Sequence, residues 1–284
     1  MSLRHQVQEQ LARAGLAPLH RLGQNFMIDE SALAALVGAL ELAPGDRVVE
    51  IGPGTGLLSE RMLDAGAQVL AVELDRGLAG LLGGTLVPRG LTLVHGDALA
   101  AKSRLHPAIE EFSAAAPGGW KLGANLPYDI AIPALLNALT LPTPPRLVAV
   151  TVQYEAAERL VSRPGDDAWG ASAAVAQAAG EPRIVRRLPP SAFYPQPRVD
   201  SAILRVRPRG RVLAATFPGW CRRVFAARRK VLPRALRDAG SAKDVAEAAC
   251  AACGLALDRR LEQLGADELT ALHAALGAPG PETP

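Results

Sequence analysis

Four short stretches of the chain carry residue types that can do chemistry together. The first is Glu50-Ile-Gly52-Pro-Gly54-Thr-Gly56, three alternating glycines behind an acid. Lacking Cβ atoms, such a turn lets backbone N–H groups come close to a ligand. Glu73 ends the next apolar run, where a carboxylate can accept from both hydroxyls of a ribose. Gly96-Asp97-Ala98 follows a third run and sets Asp97 to accept from an adenine amino group. Together these residues predict a site for a nucleotide-like cofactor. Each also has a structural reading: glycines of a tight turn, an acid solvating a strand end. The fourth stretch, Asn125-Leu126-Pro127-Tyr128, is the most specific. An exocyclic adenine amine is a poor nucleophile because its lone pair is delocalised into the ring. The Asn125 side-chain oxygen and the Leu126 carbonyl can each accept one N6–H and make that nitrogen more tetrahedral. Pro127 stiffens the turn without adding a competing N–H, and Tyr128 can stack on the base. A base paired in a helix cannot reach such a pocket, so its target is single-stranded or flipped. The alternative here is an ordinary strand-to-loop turn.

Periodicity supplies the elements that must position these residues. Residues 47–51, 68–73, 91–95, 121–125 and 146–152 are short apolar or β-branched runs, separated by helical patterns at 57–65, 76–82, 107–115 and 132–139. This alternation predicts an α/β fold, a Rossmann-like doubly wound sheet of parallel strands with right-handed crossovers, and ligands of such sheets collect at the carboxyl edge. Helices are also expected at 2–14, 29–40 and 155–161, with two last strands at 183–188 and 200–207. Asp75 reads as a helix N-cap. Arg209-Gly210-Arg211 reads as a hinge; beyond it the pattern is helical only, from 213 to 276, and 277–284 is expected to fray. The expected domains are 1–209 and a small all-helical 210–284.

A chain of 284 residues, 49% hydrophobic and 21% charged, is too long for a lone small module and too apolar for disorder. Its apolar runs stop short of the ~18–20 residues of a membrane span, and the N-terminus lacks a signal peptide's apolar block, so no membrane association and a cytoplasmic location are expected. Cys221, Cys250 and Cys253 are expected to be reduced thiols, and five histidines without ligand spacing predict no metal. The net charge of +3 hides an asymmetry. Residues 1–180 hold 13 Lys+Arg against 18 Asp+Glu, a net of −5, and residues 181–284 hold 18 against 10, a net of +8. From Arg205 to Arg237 there are eleven basic residues and no acid, among them Arg222, Arg223, Arg228, Arg229 and Lys230. Such a block attracts a nucleic-acid backbone; the bland alternative is a solvated arginine-rich face.

The glycine spacing resembles the S-adenosylmethionine loop of Rossmann-like methyltransferases, whereas a dinucleotide site would read G-x-G-x-x-G. With Asn125-Leu126-Pro127-Tyr128, nearly the whole chain resembles the small-subunit ribosomal RNA adenine N6,N6-dimethyltransferase family, the KsgA type. Leu22-Gly-Gln-Asn25-Phe-Met27 resembles its N-terminal motif, from which Asn25 and Met27 carry over as cofactor contacts beside Gly52, Gly54, Glu73, Asp97 and Asn125. Pro189-Pro-Ser-Ala-Phe193 opens a segment, running to Ser201, that resembles the loop giving the target adenine a second aromatic face, assigned to Phe193. Phe225-Ala-Ala-Arg228-Arg229-Lys230 resembles the family's basic helix, whose Arg-Arg-Lys run faces RNA. The chain departs from the pattern at Leu22, often Phe; at Asp129, commonly Asn; and at Tyr154, frequently Lys. The resemblance implies transfer of methyl groups from S-adenosylmethionine to N6 of two adjacent adenosines in small-subunit rRNA during ribosome biogenesis. It implies the small ribosomal subunit or its precursor as partner, and a monomer is expected. The competing readings are the large-subunit rRNA adenine methylase of the macrolide-resistance type, a non-catalytic assembly factor, and a nicotinamide oxidoreductase. Leu126, commonly Ile in the first group, argues against it, and the glycine spacing argues against the last.

Overall fold

The computed structural model describes residues 2–19, 22–116 and 118–277. In chain order its elements are α1 (Leu3–Arg13), β1 (Phe26–Met27), α2 (Glu30–Ala39), β2 (Arg47–Ile51), α3 (Leu57–Asp64), β3 (Gln68–Glu73), α4 (Arg76–Thr85), β4 (Thr92–His95), β5 (Leu99–Ala101), β6 (Arg104–Leu105), α5 (Pro107–Ala114) and β7 (Trp120–Asn125). There follow α6 (Tyr128–Leu139), β8 (Leu147–Gln153), α7 (Tyr154–Val161), α8 (Ala171–Ala179), β9 (Gly180–Leu188), β10 (Phe193–Tyr194), β11 (Ser201–Pro208), α9 (Phe217–Phe225), α10 (Leu232–Asp238), α11 (Lys243–Ala252) and α12 (Ala266–Gly277). The tail beyond 277 lies outside the described residues.

Seven strands form one sheet in the order β4-β3-β2-β7-β8-β11-β9. Strands β2, β3, β4, β7 and β8 pair in parallel, as the strand-helix alternation predicts. β11 turns back antiparallel to β8. Starting from β2 the chain winds outward through β3 and β4 and returns to β7 on the other side. The carboxyl ends of β2 and β7 therefore form the switch point at which open α/β sheets hold ligands. Val48, Val49, Ile51 and Leu147 to Val152 are buried, because strands covered on both faces are apolar throughout rather than alternating.

Helix starts follow local capping. Asp29 accepts from Ala32 N (2.7 Å) at the head of α2, and Asp75 accepts from Gly77 N (2.8 Å) and Leu78 N (3.2 Å) at the head of α4. α6 begins four residues before the start expected from periodicity, with Pro133 inside it, so Tyr128 is a helix-opening residue. Periodicity also misses α8, whose alanines are buried nearly all round and so carry no amphipathic pattern. The pair β1–β10 is missed because each strand has two residues.

The chain forms two compact units, one reaching Ala157 and including Glu181–Val212, the other made of Glu158–Gly180 and the chain from Leu213 on. In the second, Phe217 stacks on Trp220 at 5.9 Å, His273 packs on both rings, and Trp169 meets Phe225 edge-on at 6.2 Å. Trp120 is buried in the first unit, its Nε1 donating to Thr143 O (2.8 Å). The three cysteines are free thiols, and no helix among the described residues is long and apolar enough to cross a membrane.

Candidate active site

The glycine loop leaves β2 with Gly52, Gly54 and Gly56 all at positive φ, +69°, +61° and +89°. A Cβ on Gly54 would lie 2.9 Å from the Phe26 ring, and one on Gly52 would lie 3.2 Å from Pro127. Only glycine fits this turn, for conformation and for space. Gly56 caps α3 without any side-chain hydrogen bond, so the helix presents unsatisfied N–H groups beside the loop. Both oxygens of the buried Glu73 carboxylate accept backbone N–H groups, Oε2 from Gly54 (3.1 Å) and Oε1 from Asp75 (2.8 Å). Each oxygen keeps a second lone pair for a hydroxyl donor. Burial raises the Glu73 pKa, against the backbone donors at Asp75, Gly54 and Leu74 that lower it. Asp97 is exposed, with Oδ1 held by Leu99 N at 2.9 Å. Asn25, Met27, Gly52, Gly54, Glu73, Asp97 and Asn125 all line one pocket at the switch point.

Asn125 joins two sequence motifs. Its Nδ2 donates to the Asn25 carbonyl at 2.8 Å, a contact across 100 residues, while Asn25 Nδ2 donates back to Gly23 O at 3.0 Å. One of the two amide N–H groups is thereby committed, which fixes the amide's orientation, and the oxygen is the acceptor of this pocket-lining side chain. Leu126 is buried and its N–H donates to Thr151 O at 3.2 Å. Tyr128 is half-buried, with its hydroxyl 2.6 Å from Ser201 Oγ. Burial raises its pKa, partly offset by the Ser201 hydrogen bond, so burial keeps the phenol neutral while Ser201 holds its hydroxyl.

Glu50, noted in sequence only as the acid before the glycines, also lines the pocket and is almost fully buried. Its carboxyl meets the Ser59 hydroxyl, and burial pushes its pKa up to about 8, opposed by Ser59 and reinforced by the nearby Glu73. The signal was available: Glu50 is the one charged residue among Val48, Val49 and Ile51. Ser201 carried none, because only the sheet register brings it to Tyr128.

The arrangement suits a nucleoside whose ribose meets Glu73 and whose base meets Asp97, with an amine acceptor at Asn125. A family model for ribosomal RNA adenine dimethylase matches residues 19–274. The chain belongs to the ribosomal RNA adenine dimethylase family. Relatives include the ribosomal RNA small subunit methyltransferase A of Moorella thermoacetica, 36% identical over 92% of this chain and 93% of that protein. The protein of the same name from Deinococcus radiodurans is 39% identical over 94% of this chain and 88% of its own. Two solved structures share the fold: a dimethyladenosine transferase from Plasmodium falciparum (TM-score 0.67, 18% identical, covering 87% of this chain and 95% of that one) and the 23S rRNA methyltransferase ErmE (0.63, 24%, 89% and 100%).

In this rRNA adenine dimethylase, two expectations need correction. Phe193, expected to offer a ring face to the target adenine, has no exposed surface: it pairs with Met27 across β1–β10 and its ring belongs to the hydrophobic core. The ring thus presents no surface at the pocket, and Tyr128 is the half-buried aromatic three residues from Asn125. The expected basic helix ends at Phe225; residues 226–229 form a turn, and its basic residues are not equivalent. Arg228 donates to Trp169 O (2.6 Å) and lies 3.9 Å from Glu262, and Lys230 is paired with Asp238 at 2.6 Å. Arg222, Arg223 and Arg229 are exposed.

Proposed function

We propose that this dimethylase binds S-adenosylmethionine in the switch-point pocket and methylates N6 of two adjacent adenosines of small-subunit rRNA, twice on each. It would act as a cytoplasmic monomer on the small ribosomal subunit or its precursor. The observation that carries the reading is the Asn125 Nδ2 to Asn25 O hydrogen bond at 2.8 Å. It commits one of the amide's N–H groups, which fixes the amide's orientation, and leaves Oδ1 to accept one N6–H, with the Leu126 carbonyl accepting the other. The glycine cradle, the uncapped α3 and the Glu73 carboxylate fit S-adenosylmethionine, which supplies an electrophilic methyl group on a positively charged sulfur when bound.

The chain's own residues position rather than activate. Glu73 holds the ribose hydroxyls, and the free oxygen of Asp97 takes the adenine amine. Tyr128, kept neutral by burial and held at its hydroxyl by Ser201, stacks on the target base. The methylated amine is acidic enough to lose its proton to water, so no general base is required. Mass mapping of rRNA incubated with the protein and S-adenosylmethionine is the test. Two adjacent N6,N6-dimethyladenosines in small-subunit rRNA are expected. Modification of large-subunit rRNA alone would make it a methylase of the macrolide-resistance type, and binding without methylation would leave an assembly role.

A further inference from the structure

Thr151 lies near the end of β8 with no exposed surface, and its hydroxyl has no hydrogen-bond partner among the described residues. Buried hydroxyls nearly always find a partner, because an unmade bond forfeits water without replacing it. Valine would fill the same volume without that cost, so the hydroxyl calls for an explanation. The sheet register shows what stands beside it. Thr151 pairs with Asn125 on the β7 side and with Ile203 on the β11 side. Paired residues of neighbouring strands point to the same face, and the strands lie about 4.8 Å apart. On that face Ala149 and Ile203 join the core cluster with Leu33 and Leu36 of α2, which offer a hydroxyl nothing. One row further along, Gln153 pairs with Ser201, whose hydroxyl is 2.6 Å from that of Tyr128. Thr151 therefore lies in the sheet between Asn125 and the serine that holds Tyr128. Asn125 has an unused donor of its own. One Nδ2–H goes to Asn25 O, and the other has no partner among the described residues. A free lone pair and a free N–H in paired register are complementary, and side chains on strands so spaced can close the bond by rotating.

We propose that Thr151 is a positioning residue for Asn125: its hydroxyl accepts the second Nδ2–H as the target adenine docks. With both N–H groups committed, the amide turns only Oδ1 toward the base, where it accepts N6–H. With one uncommitted, the amide can rock and bring a donor against the N6–H donor. A bond completed only in the complex with RNA favours the reacting arrangement rather than binding, so it acts on the rate. This rests on the rRNA-methylating reading above. Thr151 is fully buried and works through Asn125, touching neither base nor cofactor.

Methyl transfer to small-subunit rRNA, calorimetric S-adenosylmethionine affinity and thermal melts test it on the parent, T151V, T151A, T151S, N125A and the T151V–N125A double variant. T151V should lower kcat by roughly three- to tenfold, the size of one hydrogen bond, with KM for rRNA and S-adenosylmethionine affinity at parent values. Its melting temperature should equal or exceed the parent's, because an unpartnered buried hydroxyl is gone. T151S keeps the hydroxyl and should restore kcat, whereas T151A should be as slow as T151V. In the N125A background T151V should change the residual rate no further, since its effect passes through that amide. If T151V does not fold, the T151A and T151S pair decides on the same terms. Parent-like kcat in T151V or T151A, with the parent active, overturns the positioning role alone and leaves Thr151 a structural residue. T151S as slow as T151A overturns it too, because packing rather than the hydroxyl would then set the rate. A further loss in the N125A background places the effect outside Asn125 and equally overturns it. A parent that methylates no rRNA overturns the underlying reading, and the positioning role with it.

Discussion

Asn125 is held by a backbone carbonyl from another motif, so its substitution removes an acceptor without removing a core contact. Asn125→Ala should fold and bind RNA, yet transfer methyl groups at a small fraction of the parent rate; single-turnover transfer at saturating S-adenosylmethionine checks this, and a parent-like rate would dismiss the catalytic assignment. Glu73 differs because it serves the loop as well as the ligand. Glu73→Ala frees the Gly54 and Asp75 N–H groups and removes the ribose acceptor, so calorimetry should show S-adenosylmethionine affinity reduced by about tenfold or more, the equivalent of ~1.5–3 kcal/mol. Glu50 makes the pocket pH-dependent. Its pKa is raised from an ordinary 4.5 to about 8, so the folded chain retains a proton that the unfolded chain gives up. That contribution to stability is complete below about pH 4.5 and is lost as pH rises through about 8. Glu50→Gln removes the titration: thermal melts should show the variant gaining on the parent from pH 5 to pH 8, and parallel curves would mean that Glu50 is charged throughout.

At the scale of elements, the glycines separate turns that require them from helices that tolerate them. Gly54 is at φ +61° with the Phe26 ring where its Cβ would go, while Gly83 sits exposed in α4 with open space around it. Gly54→Ala should therefore disturb the loop and weaken cofactor binding, whereas Gly83→Ala should raise stability by about 0.5–1 kcal/mol in denaturant titration. The same contrast explains what was legible in the sequence. β2, β3, β7 and β8 announced themselves because buried parallel strands are continuous apolar runs bounded by polar ends, and the residues at the ends of β2, β3 and β7 are among those gathered at the pocket. The β1–β10 pairing was illegible, since two-residue strands have no period and their partners lie far apart in the chain. That pairing buries Phe193 beside Met27, which is why an aromatic in a matching motif reads as exposed when it is core. Tyr128 was legible as a residue type but not as a helix start, because Pro133 interrupts the pattern that would have extended α6 toward it.

Over the whole molecule the excess of basic charge lies in the C-terminal third, and the structure sorts those cations into two kinds. Arg228 is a strut: its guanidinium donates to the Trp169 carbonyl and faces Glu262, linking segments within the second unit. Arg222, Arg223 and Arg229 are exposed, the first two in the last turn of α9, where cations also favour the helix dipole. An RNA backbone would meet the second kind. Replacing Arg222, Arg223 and Arg229 together by Ala should leave the melting temperature and S-adenosylmethionine affinity near parent values, while RNA affinity falls and the log-log salt slope flattens by roughly 0.7–0.9 for each phosphate no longer neutralised. Arg228→Ala should do the reverse. It strands a carbonyl and an acid, so stability should fall by about 1–3 kcal/mol with little change in slope per folded molecule. Filter binding and thermal melts of the two variants, side by side, separate the roles. If the triple variant keeps the parent slope, the exposed arginines are only a solvated face, and the basic excess of this unit serves solubility rather than RNA.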